Sequence, residues 1–138
     1  MRRPPTHNGR ELELMLSGSK PLALFGDALC CLPDECIVPE VAFAPHVASG
    51  AIVRSAVEYR SSVLARDGGF PLMREVLFAL HEEAWRIPAM QLLLHTHRRT
   101  GVWNETCERT QGALLGYTDH ENDLWCRWLA TREAHPYG

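Results

Sequence analysis

"AIVRSAVEYRSSVLARDGGFPLMREVLFAL" (51–80) is the stretch on which the fold turns. In its first ten residues Ala51, Val53, Ser55, Val57 and Tyr59 alternate with Ile52, Arg54, Ala56, Glu58 and Arg60. Side chains of a strand point alternately to opposite faces, so this pattern predicts an antiparallel strand with one wet face. "RDGG" (66–69) then supplies the glycines that tight hairpin turns require. A strand and a turn need a partner, and "MREVLFAL" (73–80) stands where one belongs. The same eight residues also fit a helix: Met73, Val76, Leu77 and Leu80 recur at helical spacing, and Pro71 suits a first helical turn. The preceding strand and turn decide for a strand.

Upstream, "NGRELELMLSG" (8–18) reads as a short helix capped by Asn8 and ended by Gly18. "KPLALFGD" (20–27) is a compact apolar run between Pro21 and Gly26, which predicts a short buried strand. Residues 28–42 carry Pro33 and Pro39 and are expected to be irregular. "FAPHVASG" (43–50) has room for one helical turn. Downstream of the hairpin the chain is helical. "IPAMQLLLHTHRRTG" (87–101) has Pro88 at its start, arginines in its last turn and Gly101 past its end. "NETCERTQGALLG" (104–116) follows. "TDHENDLWCRWLATR" (118–132) opens with Thr118 and Glu121 at capping-box spacing, and Leu124, Trp125, Trp128 and Leu129 form its apolar stripe. These elements predict the α+β class: a small, mainly antiparallel sheet of about three strands and a helical C-terminal half of about three helices packed on it. At 138 residues the expectation is one domain over 1–138, with residues 1–7 and 133–138 as loose tails.

Composition narrows the function classes. Fourteen basic and 17 acidic residues give a net charge of −3, which lacks the basic footprint that nucleic-acid binding relies on. No run of 18 apolar residues occurs, so no transmembrane helix is expected. The start lacks a signal-like apolar stretch, and the five cysteines are odd in number, which together point to reduced thiols in the cytoplasm.

His95 and His97 invite a metal reading that their setting does not support. Residues advance about 100° each around a helix, so two side chains two apart point roughly 200° apart. Ligand pairs on one helix need spacing of three or four. His97 is expected to border the core and His95 to face outward. Cys31 and Cys36 have no second cysteine pair to answer them. No metal and no cofactor is therefore expected, although His97, Cys107 and His120 could still be gathered in space. Cys107 and Cys126 would need an activated thiol and a facing imidazole for catalysis. As buried small hydrophobes they need neither.

Three functional readings follow. The leading one is a small soluble accessory protein, a non-enzymatic binding or regulatory module that contacts another protein or a second copy of itself. Trp125 and Trp128 are its interface residues, with Trp128 foremost, because two tryptophans so close are more than one small helix needs for its core. The alternative is a small enzyme whose general acid–base pocket gathers His81, Glu82 and Glu83. The third is a DNA-binding regulator using 112–129 as a helix-turn-helix. Against it, the second helix would present Asp119, Glu121 and Asp123 to a polyanion.

Overall fold

A computed structural model describes residues 1–29 and 37–134. Cys30, Cys31 and Cys36, the middle of the run expected to be irregular, and residues 135–138 lie outside the described residues. Two compact units are present. One comprises Met1–Pro21 with Pro88–Gly138, the other Leu22–Ile87.

The second unit holds the sheet. Strand β1 (Leu22–Ala28), β2 (Ile52–Arg60) and β3 (Leu72–Leu80) form three antiparallel strands in the order β1-β3-β2. The contested segment is a strand: Leu80 pairs with Ile52 and Met73 with Tyr59, while Phe25 pairs with Val76 on the other side. Its central position explains the helix-like sequence. Val76, Leu77, Phe78 and Ala79 are all buried, so successive residues are apolar whichever way they point. On β2, Arg54, Ala56, Glu58 and Arg60 are exposed and the residues between them are not, the alternation expected of one wet face.

Between β1 and β2 lies helix α2, Glu40–Ala48. It is longer than the single turn expected, and it begins inside the run expected to be irregular. Pro45 stands within it. Proline cannot donate to the carbonyl four residues back. Here that residue is Val41, in the first turn and 89% exposed, so a single bond near the helix end is lost. Phe43 of α2 stacks on Phe78 with centroids 4.1 Å apart, and Phe25 meets both rings edge-on at 5.9 and 6.0 Å. Buried Asp27 accepts two hydrogen bonds from Arg74, its cross-strand neighbour, at 3.1 and 3.0 Å.

The first unit is helical. Helix α1 spans Glu11–Leu16, α3 Arg86–Thr100, α4 Glu105–Leu114 and α5 Asp119–Ala134. The unit boundary falls within α3, whose first two residues are grouped with the sheet. Helix α1 starts later than expected. Arg10 is its N-cap, the position the sequence reading gave to Asn8, and no side chain caps the helix; the Glu11 carboxylate accepts from the Gly9 amide just before it. Residues 1–7 form no regular element, but they are not loose: Arg3 and His7 are tied to side chains of the helical unit, as described below. Helix α5 continues two residues into the stretch expected as a C-terminal tail.

Candidate functional site

The helical unit builds its site from the N-terminal strap, residues 3–8, and from α4 and α5. Both helices begin at caps that the local sequence supplies. The Asn104 side chain accepts from the Cys107 amide at 3.0 Å, fixing the start of α4. Thr118 Oγ1 accepts from the Glu121 amide at 3.1 Å while Glu121 Oε1 accepts from the Thr118 amide at 2.9 Å. This is the reciprocal capping box that the spacing predicted. The two helices come close where Gly112 faces Asn122: a Cβ on residue 112 would stand 2.0 Å from Asn122 Oδ1. Only glycine leaves room for that amide.

Lys20 is the chain's one lysine among 14 basic residues, and it is 3% exposed. Its ammonium donates to the Leu115 carbonyl at 2.7 Å and to His7 Nδ1 at 2.9 Å, 5.3 Å from the centroid of the Tyr117 ring. The His7 ring stacks on Tyr117 at 3.8 Å and nearly parallel, and the His7 amide donates to the Tyr117 hydroxyl at 2.9 Å. Its Nε2 lies 4.0 Å from Glu121 Oε2. Accepting from an ammonium requires a lone pair on Nδ1, so this arrangement holds His7 neutral. Burial, then the Lys20 charge, pulls the His7 pKa below its ordinary value. Burial likewise lowers Lys20 to about 8 and raises the Tyr117 phenol.

Beside this cluster the strap, α4 and α5 enclose a cleft of about 240 Å³. Its lining includes Arg3, Glu108, Gln111, Glu121, Asn122 and Trp125. The charged groups among these six have partners. Glu108 accepts an indole N–H from Trp103 at 2.5 Å and another from Trp125 at 2.7 Å. Arg3 lies over the rings of Trp125 and Trp128, 5.5 and 5.6 Å from their centroids. Glu121 is held by the capping box. The two carboxamides differ. Asn122 is 7% exposed, and neither its side chain nor that of Gln111 hydrogen-bonds a described protein group.

Trp125 and Trp128, the expected interface residues, stand together at this edge with centroids 5.1 Å apart and planes tilted by 40°. Both are half-buried, and Arg132 covers Trp128 at 4.9 Å. The acid–base candidates His81, Glu82 and Glu83 form one exposed to half-exposed 3₁₀ turn after β3. Glu83 there accepts from Arg86 Nε at 2.8 Å and from the Trp85 indole at 3.1 Å. The Arg86 hydrogen bond holds its carboxyl below the usual carboxylate range, the opposite of what a general acid needs. His81, Glu82 and Glu83 do not line the cleft.

His95 is exposed, as expected of it, and His97 is half-buried, meeting Trp103 edge-on at 5.0 Å with Nδ1 3.0 Å from the Val102 carbonyl. Among the described residues no three His, Cys, Asp or Glu side chains gather to hold a metal ion, so His97, Cys107 and His120 are not brought together. Burial pushes the Cys126 thiol up, away from nucleophilic use.

Sequence reasoning missed Arg3, His7, Lys20, Glu108, Gln111 and Asn122. A solitary lysine in an arginine-rich chain was the available signal for one of them. Arg3 and His7 act through contacts distant in sequence, such as the pairing of residue 7 with 117. Set against family models, curated proteins and solved structures, the chain matches none of them.

Proposed function

We propose that the chain is a non-enzymatic binding module that works through contact with another protein, a second copy included. Its contact residues are Trp125 and Trp128. The observation that carries the reading is the aromatic pair itself: two neighbouring indoles, neither buried in the core, flanked by Arg3 and Arg132 and adjoining the cleft. Tryptophan and arginine are the residue types that most often anchor protein interfaces. Acid–base catalysis at His81, Glu82 and Glu83 asks for burial that those residues lack. A helix-turn-helix reading would put acidic Asp119 and Glu121 in the first turn of the recognition helix. No described helix is long and apolar enough to cross a membrane. Cys107 and Cys126 as free thiols suit a reducing compartment, and we place the protein in the cytoplasm.

The indole N–H resonances of the ¹⁵N-labelled chain provide the test. They are followed as the chain is concentrated, and again as proteins retained from source-cell extract by the immobilised chain are added. Trp125 and Trp128 should shift together while Trp85, which lies on the sheet unit, stays in place. Association that leaves both unmoved would remove the reading.

A further inference from the structure

We infer that the cleft beside Trp125 binds a neutral amide, presented by the partner as an asparagine or glutamine side chain or as a main-chain peptide unit. This inference rests on the protein-binding reading above and names the chemistry of its contact. Asn122 is the central residue. Its side chain is more than nine-tenths buried, lines the cleft and hydrogen-bonds no described protein group. Its amide is not shut away from solvent, so the donors and acceptor of a residue otherwise buried stay open to the cleft. The backbone is shaped to hold this amide: Gly112 is glycine where any Cβ would strike Asn122 Oδ1 at 2.0 Å. Gln111, one residue before Gly112, brings a second carboxamide to the same lining, again without a described partner.

A carboxamide offers two donors and a carbonyl acceptor on one plane. The group that answers both at once is another amide. A cation fits less well, because Glu108 already accepts two indole N–H groups and Glu121 accepts within the capping box. Arg3 lies over the tryptophan faces with its N–H donors open to solvent, so an anion is the competing ligand, and propionate separates it from an amide held by Asn122 and Gln111. The size argues for a piece of a partner. Pockets for drug-sized molecules run about 300–1,000 Å³, and this one is about 240 Å³. That suits one residue of an inserted chain, with the Trp125 ring as an apolar wall.

Three probes test this on the intact chain: propionamide for a side-chain amide, N-methylacetamide for a peptide unit, and propionate as the charged mimic of the first. The readouts are the side-chain NH₂ resonances of Asn122 and Gln111 and the Trp125 indole. The expected result is a saturable shift with at least one amide and none with propionate. Tighter binding of propionamide assigns the side-chain source, and tighter binding of N-methylacetamide the main-chain source. Asn122→Leu replaces the amide by an apolar group of similar size and should weaken the amide about tenfold, the scale of one lost hydrogen bond. Gln111→Leu, at a half-exposed position, serves should the first variant not fold. The inference is overturned by no saturable shift with either amide, by propionate binding as well as the amides, or by undiminished binding in the folded variants. If Trp128→Ala loses a protein partner while the probes fail, this inference falls and the protein-binding reading stands.

Discussion

Lys20 and His7 show how single residues report on the site. Burial lowers the Lys20 pKa to about 8, so the fold takes up this proton less readily than the unfolded chain, whose value is near 10.5. Its unfavourable contribution is in full force below about 8 and lifts as pH rises toward 10.5. Because it is the only lysine, its ε-methylene resonance is unambiguous, and an NMR titration should give a midpoint near 8. A midpoint at the ordinary value would mean that the strap does not enclose it. His7 works in the same direction. Its folded pKa lies below 6.5, so the stability tied to its neutral form is present above 6.5 and is lost as pH falls through the folded value. Replacing it by glutamine keeps an acceptor for Lys20 and removes the titration. The melting temperature of His7→Gln should therefore fall less than that of the parent between about pH 7 and about pH 5. Gly112 gives a steric counterpart. Gly112→Ala drives a Cβ into Asn122 and should cost roughly 1–3 kcal/mol, the range for overpacking. Measured by denaturant midpoint, that cost should shrink in an Asn122→Ala background if the clash is its cause.

At the scale of elements, legibility followed the range of the forces involved. The capping box of α5 was readable because Thr118 and Glu121 satisfy each other three residues apart. Thr118→Ala should cost about 1 kcal/mol, and an unshifted denaturant midpoint would show that the cap contributes nothing. Strand β2 was readable because one face is wet. Strand β3 was ambiguous because it lies between two others and is apolar on both faces, which erases the period-two signal. The hairpin context resolved it. Helix α2 reads from sequence as a single turn within 43–50, after residues made irregular by Pro33 and Pro39, whereas Pro39 is its N-cap and Pro45 stands one turn in and sacrifices a single exposed bond. Asn8 reads as a cap on residue type alone, but Arg10 holds that position and the Glu11 carboxylate reaches back to the Gly9 amide. The site was mostly illegible for another reason. Trp125 and Trp128 announced themselves as neighbours on one helix, while the cleft depends on a strap more than 100 residues distant from the helix it covers.

Over the whole molecule, a net charge of −3 sets no strong field, so the proposed recognition rests on local chemistry in the helical unit. The tryptophan pair and the cleft adjoin, and a partner reaching one reaches the other. Trp128 separates this account from a purely structural use of the same residues. Truncating an interface anchor typically costs about 2 kcal/mol or more of binding and leaves the fold in place. Truncating a core tryptophan costs about 3–5 kcal/mol of stability. The decisive measurement is the association of Trp128→Ala, followed by sedimentation and by retention of the parent's partners, on protein whose melting temperature is recorded in the same preparation. The account predicts a variant that melts within a few degrees of the parent and has lost the association. A variant that unfolds, or one that stays folded with association unchanged, would contradict it.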